Sequence, residues 1–300
     1  MVNLPTPIQE ISHPLLEEKQ IQLFVKRDDL VHPEIMGNKW RKLKYNLEEM
    51  KSNKQTSLVT MGGAYSNHIA ATAAAAHEHK IQAVGIIRGD ELDENSNPTL
   101  RFAHSKGMQL HFANRHRFRD FRENLRLIKE EYPDHYFLPE GGTNELAVKG
   151  CTEIINEITI PFDIIVTPIG TGGTFAGLVK SASESQKVAG ISSLKGDFIS
   201  SEMSRLLQKM NIKSKNYSII TRYHFGGYGK TNTELIDFIN WFKENFGIPL
   251  EPIYTGKSFF GVWDMIKTDK FEKNLKIVLL HTGGLQGIKG FNRKNENIIQ

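Results

Sequence analysis

The sequence predicts an α/β protein of parallel sheets covered by helices on both faces, and three observations predict it. Short β-rich runs alternate with helical stretches almost throughout the 300 residues, the pattern of strand–helix–strand units. Three glycine-rich turns each fall between a strand and a helix, where open α/β sheets bind ligands. A hydrophobic fraction of 39% and a charged fraction of 24% are ordinary for a globular chain, and this length supplies ample core.

In chain order, strands are expected at Gln22–Lys26, Ser57–Met61, Gln82–Ile87, Gln109–Phe112, Tyr136–Leu138, Asp163–Pro168, Lys187–Ile191, Ser218–Thr221 and Lys276–Leu280. Helices are expected at Lys39–Met50, Ser66–His79, Pro98–Ser105, Phe118–Glu131, Glu145–Glu157, Gly173–Ser181, Thr231–Phe246, Gly256–Thr268 and Gly284–Gly290. The alanine run from Ala70 to Ala76, broken only by Thr72, suits close helix packing rather than chemistry. The strand–helix units from Ser57 to Leu138 read as a middle domain. We therefore expect a small domain over 43–138, inserted in a large one made of 1–42 and 139–300.

The charge is modest, 38 basic against 34 acidic residues, or +4. Its densest cluster, Arg115 to Arg119 with Arg122 and Arg126, reads as the solvated face of a helix and not as a nucleic-acid patch. One cysteine, Cys151, excludes an intramolecular disulfide and suits a reducing compartment. The N-terminus lacks a signal pattern and no apolar run reaches membrane-spanning length. A cytoplasmic protein that binds neither membrane nor nucleic acid is expected. No metal-ligand spacing appears either.

The chemistry starts at Gly37-Asn38-Lys39, which opens a helix. Cations are disfavoured at helix N-termini, so Lys39 reads as an amine meant to condense with an aldehyde cofactor, with an anion held nearby. Gly37 would let another molecule approach the backbone. In Gly62-Gly63-Ala64-Tyr65-Ser66-Asn67-His68 the polar residues sit at a helix N-terminus, where free amides attract an anion. A plain helix cap explains Ser66 alone, but not three polar groups in a row. Gly170-Thr171-Gly172-Gly173-Thr174 is an anion nest that lacks the ending of a nucleotide-triphosphate loop and the last glycine of a dinucleotide fingerprint. His281-Thr282-Gly283-Gly284 offers a hydroxyl to a ring in the crevice. Tyr228 and Tyr254 lie in polar, glycine-flanked loops, and each is a candidate functional residue.

With Pro139-Glu140-Gly141-Gly142 and Tyr254-Thr255-Gly256-Lys257-Ser258, these segments occur in an order that resembles the 1-aminocyclopropane-1-carboxylate deaminase / D-cysteine desulfhydrase family, from about Val25 to Gly284. The resemblance implies pyridoxal 5'-phosphate (PLP) dependence and a tryptophan-synthase-β-like fold (fold type II) of two open, mostly parallel twisted sheets. It also implies a homodimer. By match, Lys39 would carry the cofactor's aldehyde as a Schiff base and move the α-proton. Asn38 and Lys42, with Gly170, Thr171, Gly172, Gly173 and Thr174, would hold its phosphate. Asn67 would bond the phenolic oxygen. Ser66 and the amides of Asn67 and His68 would bind the substrate carboxylate, with Tyr228 and Tyr254 facing the substrate.

In the deaminase branch a glutamate follows the second tyrosine and pairs with the pyridine nitrogen; Thr255 stands there in this chain, and Thr282 replaces a leucine. A hydroxyl partner leaves the nitrogen less basic than a carboxylate does, which suits β-elimination better than ring opening. The expected activity is β-elimination and deamination of a small amino acid, a D-amino acid by resemblance to the desulfhydrase branch, releasing ammonia and a 2-oxo acid. The alternatives are ring-opening deamination, a PLP-binding protein without turnover, and a nucleotide-dependent oxidoreductase reading Gly170–Gly177 as a dinucleotide loop.

Overall fold

Strand pairing sorts the chain into two sheets. The computed structural model describes residues 2–295 and 298–300. The six-stranded sheet runs in the order β1 (Ile8–Ile11), β2 (Gln22–Lys26), β10 (Lys276–Leu280), β7 (Ile164–Ile169), β8 (Lys187–Ser192), β9 (Tyr217–Ile220). Only β1 is antiparallel to its neighbour; the other pairs are parallel. The four-stranded sheet, β5 (Gln109–Ala113), β4 (Gln82–Arg88), β3 (Ser57–Gly63) and β6 (Tyr136–Leu138), is parallel throughout. The α/β class with two open, mostly parallel sheets is thus what the chain adopts.

Twelve α-helices accompany these strands among the described residues. They are α1 (Pro14–Lys19), α2 (Asn38–Ser52), α3 (Asn67–His79), α4 (Pro98–Ser105), α5 (Arg115–Glu123), α6 (Leu125–Glu131), α7 (Glu145–Asn156), α8 (Gly173–Ser181), α9 (Phe198–Lys209), α10 (Thr233–Phe246), α11 (Thr255–Lys267) and α12 (Gly287–Lys294). Central strands are buried on both faces, which explains their continuous apolar runs. Along β10, Ile277 and Leu279 join one core with Leu23, Val25 and Phe259. Val278 and Leu280 join another, with Cys151, Phe175 and Leu178.

Five differences from the expected elements have local causes. The edge strand β1 and helix α1 fall in a stretch too short and polar to show a period. Helix α9 buries Ile199, Met203 and Leu207 at four-residue spacing, a narrow stripe flanked by glycine and serine. The expected helix Phe118–Glu131 divides at Asn124 (φ −130°, ψ 93°), whose side chain caps α6. The last helix starts at Gly287 and not Gly284, because Gly283 and Gly284 take φ of +76° and +90°, outside helical space.

Helix α2 is held from below by a buried ion cluster. Arg41, fully buried, donates to both Asp28 and Glu157, and Lys26 also donates to Glu157. Against α7 the packing is tight enough that a Cβ at Gly150 would lie 1.9 Å from the Arg41 carbonyl oxygen. Cys151 lies buried in the next contact, where burial pushes its thiol pKa up, an inert environment for sulfur. Among the described residues no helix is long and apolar enough to cross a membrane, and no cluster of His, Cys, Asp or Glu could hold a metal.

Candidate active site

A cavity of about 440 Å³ opens where the C-terminal ends of β3, β4, β7 and β10 face one another, the position open α/β sheets use for ligands. It gathers Asn38, Lys39, Lys42, Ser66, Asn67, His68, Gly170, Thr171, Gly172, Thr174, Tyr228, Tyr254 and Thr282. Gly173 lies just beneath, at the first turn of α8, and Thr255 is turned away.

Lys39 and Lys42 emerge from the first turns of α2. Burial, with Lys42 adding repulsion, lowers the Lys39 amine to about 7. Burial lowers Lys42 to about 8. Neither has a carboxylate partner among the described residues. The Lys39 Nζ donates to Asn38 Oδ1 at 3.1 Å. The Lys42 Nζ donates to the Gly141 carbonyl at 3.0 Å and to the Thr143 hydroxyl at 3.1 Å. Gly37 has a different reason from the one expected. Its φ is +60°, and a Cβ there would collide with the Thr282 carbonyl oxygen, so the approaching group is the turn that follows β10. That contact seats the start of α2 against Thr282.

The Gly170–Thr174 turn feeds α8 through Gly172, a left-handed N-cap residue (φ +83°) with no capping side chain. The first amides of α8 therefore remain open, a ready anion site. The Asn38 amide donates to the Thr174 hydroxyl at 2.8 Å, and Lys42 Nζ stands 3.0 Å from where a Gly173 Cβ would be. Two carboxylate-free lysines beside an uncapped helix N-terminus form a cradle for a strongly anionic group.

At α3 the hydroxyl oxygen of Ser66 accepts from the amides of His68 and Ile69, at 3.2 and 3.3 Å. Ser66 is thus the N-cap, and its O–H proton remains to donate outward into the cavity. The Asn67 amide is free for the same purpose. The Asn67 side chain is steadied by Gln286, whose Nε2 donates to Oδ1 at 2.8 Å. The His68 ring turns the other way. Thr60 donates to the Leu138 carbonyl, so its oxygen accepts from His68 Nε2 at 2.7 Å. Burial holds that ring neutral, its pKa well below the ordinary value.

Tyr228 and Tyr254 meet edge to face with ring centroids 6.0 Å apart. Desolvation raises the Tyr254 hydroxyl pKa well above the ordinary value, and that of Tyr228 less strongly. The loop bearing Tyr228 is tied to α11 by Lys257, fully buried, which donates to the carbonyls of His224 and Gly227 at 2.8 and 2.7 Å. Thr255 does not face the cavity as a ring partner. Its hydroxyl lies 3.2 Å from Glu251 Oε1, and the Glu251 carboxylate caps α11 by accepting from the amides of Ile253, Tyr254 and Thr255. Glu251, Lys257 and Gln286 were not candidates from sequence. Their role is spatial, and only the carboxylate lying just before the Tyr254 turn hinted at a cap.

A carboxylate-free lysine amine, an anion cradle and two tyrosines share one cavity at the ends of parallel strands, and the residues present fit a PLP cofactor. The profile of the family described as "Pyridoxal-phosphate dependent enzyme" matches residues 1–283, and the chain belongs to this family. Relatives narrow the class. A putative 1-aminocyclopropane-1-carboxylate deaminase of Pyrococcus horikoshii is 32% identical, covering 94% of this chain and 90% of that one. The bifunctional D-cysteine desulfhydrase/1-aminocyclopropane-1-carboxylate deaminase of Arabidopsis thaliana is 28% identical over 96% and 78%. The solved structure of an ACC deaminase homologue superimposes with a TM-score of 0.86 at 28% identity, over 99% and 95% of the two chains. The chain is a fold type II PLP enzyme, homologous to these deaminases and desulfhydrases. The dinucleotide reading of Gly170–Gly177 is thereby set aside.

Proposed function

We propose that the protein catalyses PLP-dependent β-elimination and deamination of a small amino acid, in the manner of a D-cysteine desulfhydrase. The observation that carries this reading is the carboxylate-free amine of Lys39, lowered to about 7, in one cavity with the Ser66 hydroxyl, the Asn67 amide and the tyrosine pair. An amine with that pKa takes or returns a proton near neutral pH. Bound PLP supplies the electron sink for the substrate's α-carbon.

The chain's own groups divide the remaining work. Lys42, Asn38, Thr171, Thr174 and the open amides at Gly172 and Gly173 hold the phosphate. The Ser66 O–H and Asn67 N–H take the substrate carboxylate, which fixes the α-hydrogen relative to Lys39. Tyr254, kept protonated by burial, donates a proton or hydrogen bond and does not act as a base. No carboxylate among the cavity's lining residues meets the ring from the start of α11, since Thr255 follows Tyr254 and Glu251 is engaged with backbone amides. A ring nitrogen without a carboxylate partner is a weaker electron sink, which suits departure of a good leaving group better than opening of a cyclopropane. The homodimer implied by resemblance belongs to the same proposal.

The test is a panel of D- and L-cysteine, serine, β-chloroalanine and 1-aminocyclopropane-1-carboxylate with the holoenzyme, measuring ammonia and 2-oxo acid. Release from β-chloroalanine and one cysteine enantiomer is expected. Faster consumption of 1-aminocyclopropane-1-carboxylate would replace the elimination reading with ring-opening deamination.

A further inference from the structure

Three charged side chains at the mouth of the cavity have no part in the scheme above. Arg88 ends β4, Arg122 lies on α5 and Glu140 begins the turn after β6, and all three line the cavity that holds Lys39 and Ser66. Arg88 reaches the carboxylate-binding loop, with one guanidinium nitrogen 3.7 Å from where a Gly63 Cβ would be. Its guanidinium is steadied 5.8 Å over the Phe118 ring and makes no ion pair among the described residues. Among the described residues, the one acidic contact of Arg122 is a loose 3.8 Å approach to its chain neighbour Glu123. Glu140 closes no ion pair with either arginine. Burial raises its pKa while Arg122 and Arg88 oppose the rise from a distance, so all three charges share one space without neutralising one another.

We propose that Arg88 and Arg122 form a subsite for a distal anion, so that the substrate is a small amino acid whose side chain ends in an anionic group. The inference rests on the reading that Ser66 and Asn67 hold the α-carboxylate. With that end fixed, a side chain extending toward the mouth would meet the two guanidinium groups that line the same cavity. A guanidinium without a fixed partner is built for a carboxylate, sulfate or phosphate, which it binds through paired N–H donors. Two arginines against one carboxylate leave net positive charge there. A β-substituent that departs as an anion would be met by this positive charge. For O-sulfoserine, the Cα proton passes to Lys39 and the Cβ–O bond breaks with its electron pair on sulfate. Uptake of one water by the three-carbon product then gives pyruvate and ammonium beside hydrogen sulfate.

Binding and turnover are tested separately on the holoenzyme. Titrations with each enantiomer of aspartate and of alanine, followed by the visible band of bound cofactor, compare a distal anion with none. Aspartate should bind about tenfold more tightly or better. The double variant R88Q/R122Q should erase that preference while changing alanine binding by less than about twofold. Glu140→Gln, which removes the competing carboxylate, should tighten aspartate further. Equal binding of aspartate and alanine, or a preference that survives R88Q/R122Q, overturns the subsite. In turnover, O-sulfoserine should exceed β-chloroalanine in kcat/KM in the wild type only. If β-chloroalanine is consumed but aspartate has no advantage, the subsite fails and the elimination reading stands. If aspartate has its advantage but no substrate yields a 2-oxo acid, the elimination reading fails and the subsite stands.

Discussion

Helix α2 carries buried and half-buried cations on two faces, and the two faces are built on opposite principles. On one, Arg41 is fully buried against Asp28 and Glu157. Burial works against its charge, but the hydrogen bonds to Glu157 and Asp28 more than offset this and raise its pKa. Glu157 is correspondingly held down to about 2, burial notwithstanding, by Arg41 and Lys26. On the other face Lys39 and Lys42 have no carboxylate, and burial lowers them to about 7 and about 8. A buried charge is costly unless paired. The paired face anchors the helix, and the unpaired face keeps its cost until a ligand arrives. Structural and chemical roles are thus told apart by where the counter-charge resides.

The sharpest way to break the comparison is at Lys39. Lys39→Ala should remove the cofactor's visible Schiff-base band and lower turnover by roughly 10⁴-fold or more; a variant retaining both would end the assignment. Next is Arg41→Met, which leaves Asp28 and Glu157 buried without their cation. It should cost about 3–5 kcal/mol in urea unfolding, and a loss near zero would show that the cluster is not an anchor. Lys42→Met should do the reverse, leaving stability unchanged or improved while weakening PLP binding about 10- to 100-fold in equilibrium titration.

The smallest effect is in pH. A lysine whose folded pKa is about 7 holds fewer protons in the folded than in the unfolded chain between that value and the usual lysine value of 10.5. Stability of the cofactor-free protein should therefore rise with pH across that window. Lys42, at about 8, adds to the rise over the upper part of it. Urea midpoints at increasing pH check the sign, and Lys39→Met should flatten the lower part of the rise. A fall in stability with pH that disappears in this variant would mean the amine is paired after all.

Much of the fold was readable because its signals are local. The central strands appear as apolar runs, the ligand-facing turns as glycines beside polar residues, and Gly37-Asn38-Lys39 as a cation where a helix dipole disfavours one. The order of these turns carried the resemblance. What escaped had no local signal. Edge strand β1 is too short to show a period, helix α9 buries only a three-residue stripe, and Asn124 divides a helix with a capping geometry that its neighbours conceal. Arg122 read as part of a solvated helix face, which is what a basic run usually is, whereas one of its number reaches the cavity mouth. Thr255 read as a ring partner because it follows Tyr254. The structure instead gives its hydroxyl to Glu251.

By itself the sequence determined the α/β class and the glycine turns and singled out Lys39 as the candidate amine, because each depends on residues close together in the chain. Tertiary structure alone decided the counter-charges. Arg41 meets Glu157 across 116 residues, and Lys257 reaches back to the carbonyl of His224. Arg88, Arg122 and Glu140 reach one cavity from three separate elements. A charge acts through distance and solvent exposure, and neither is set until sheets and helices have packed.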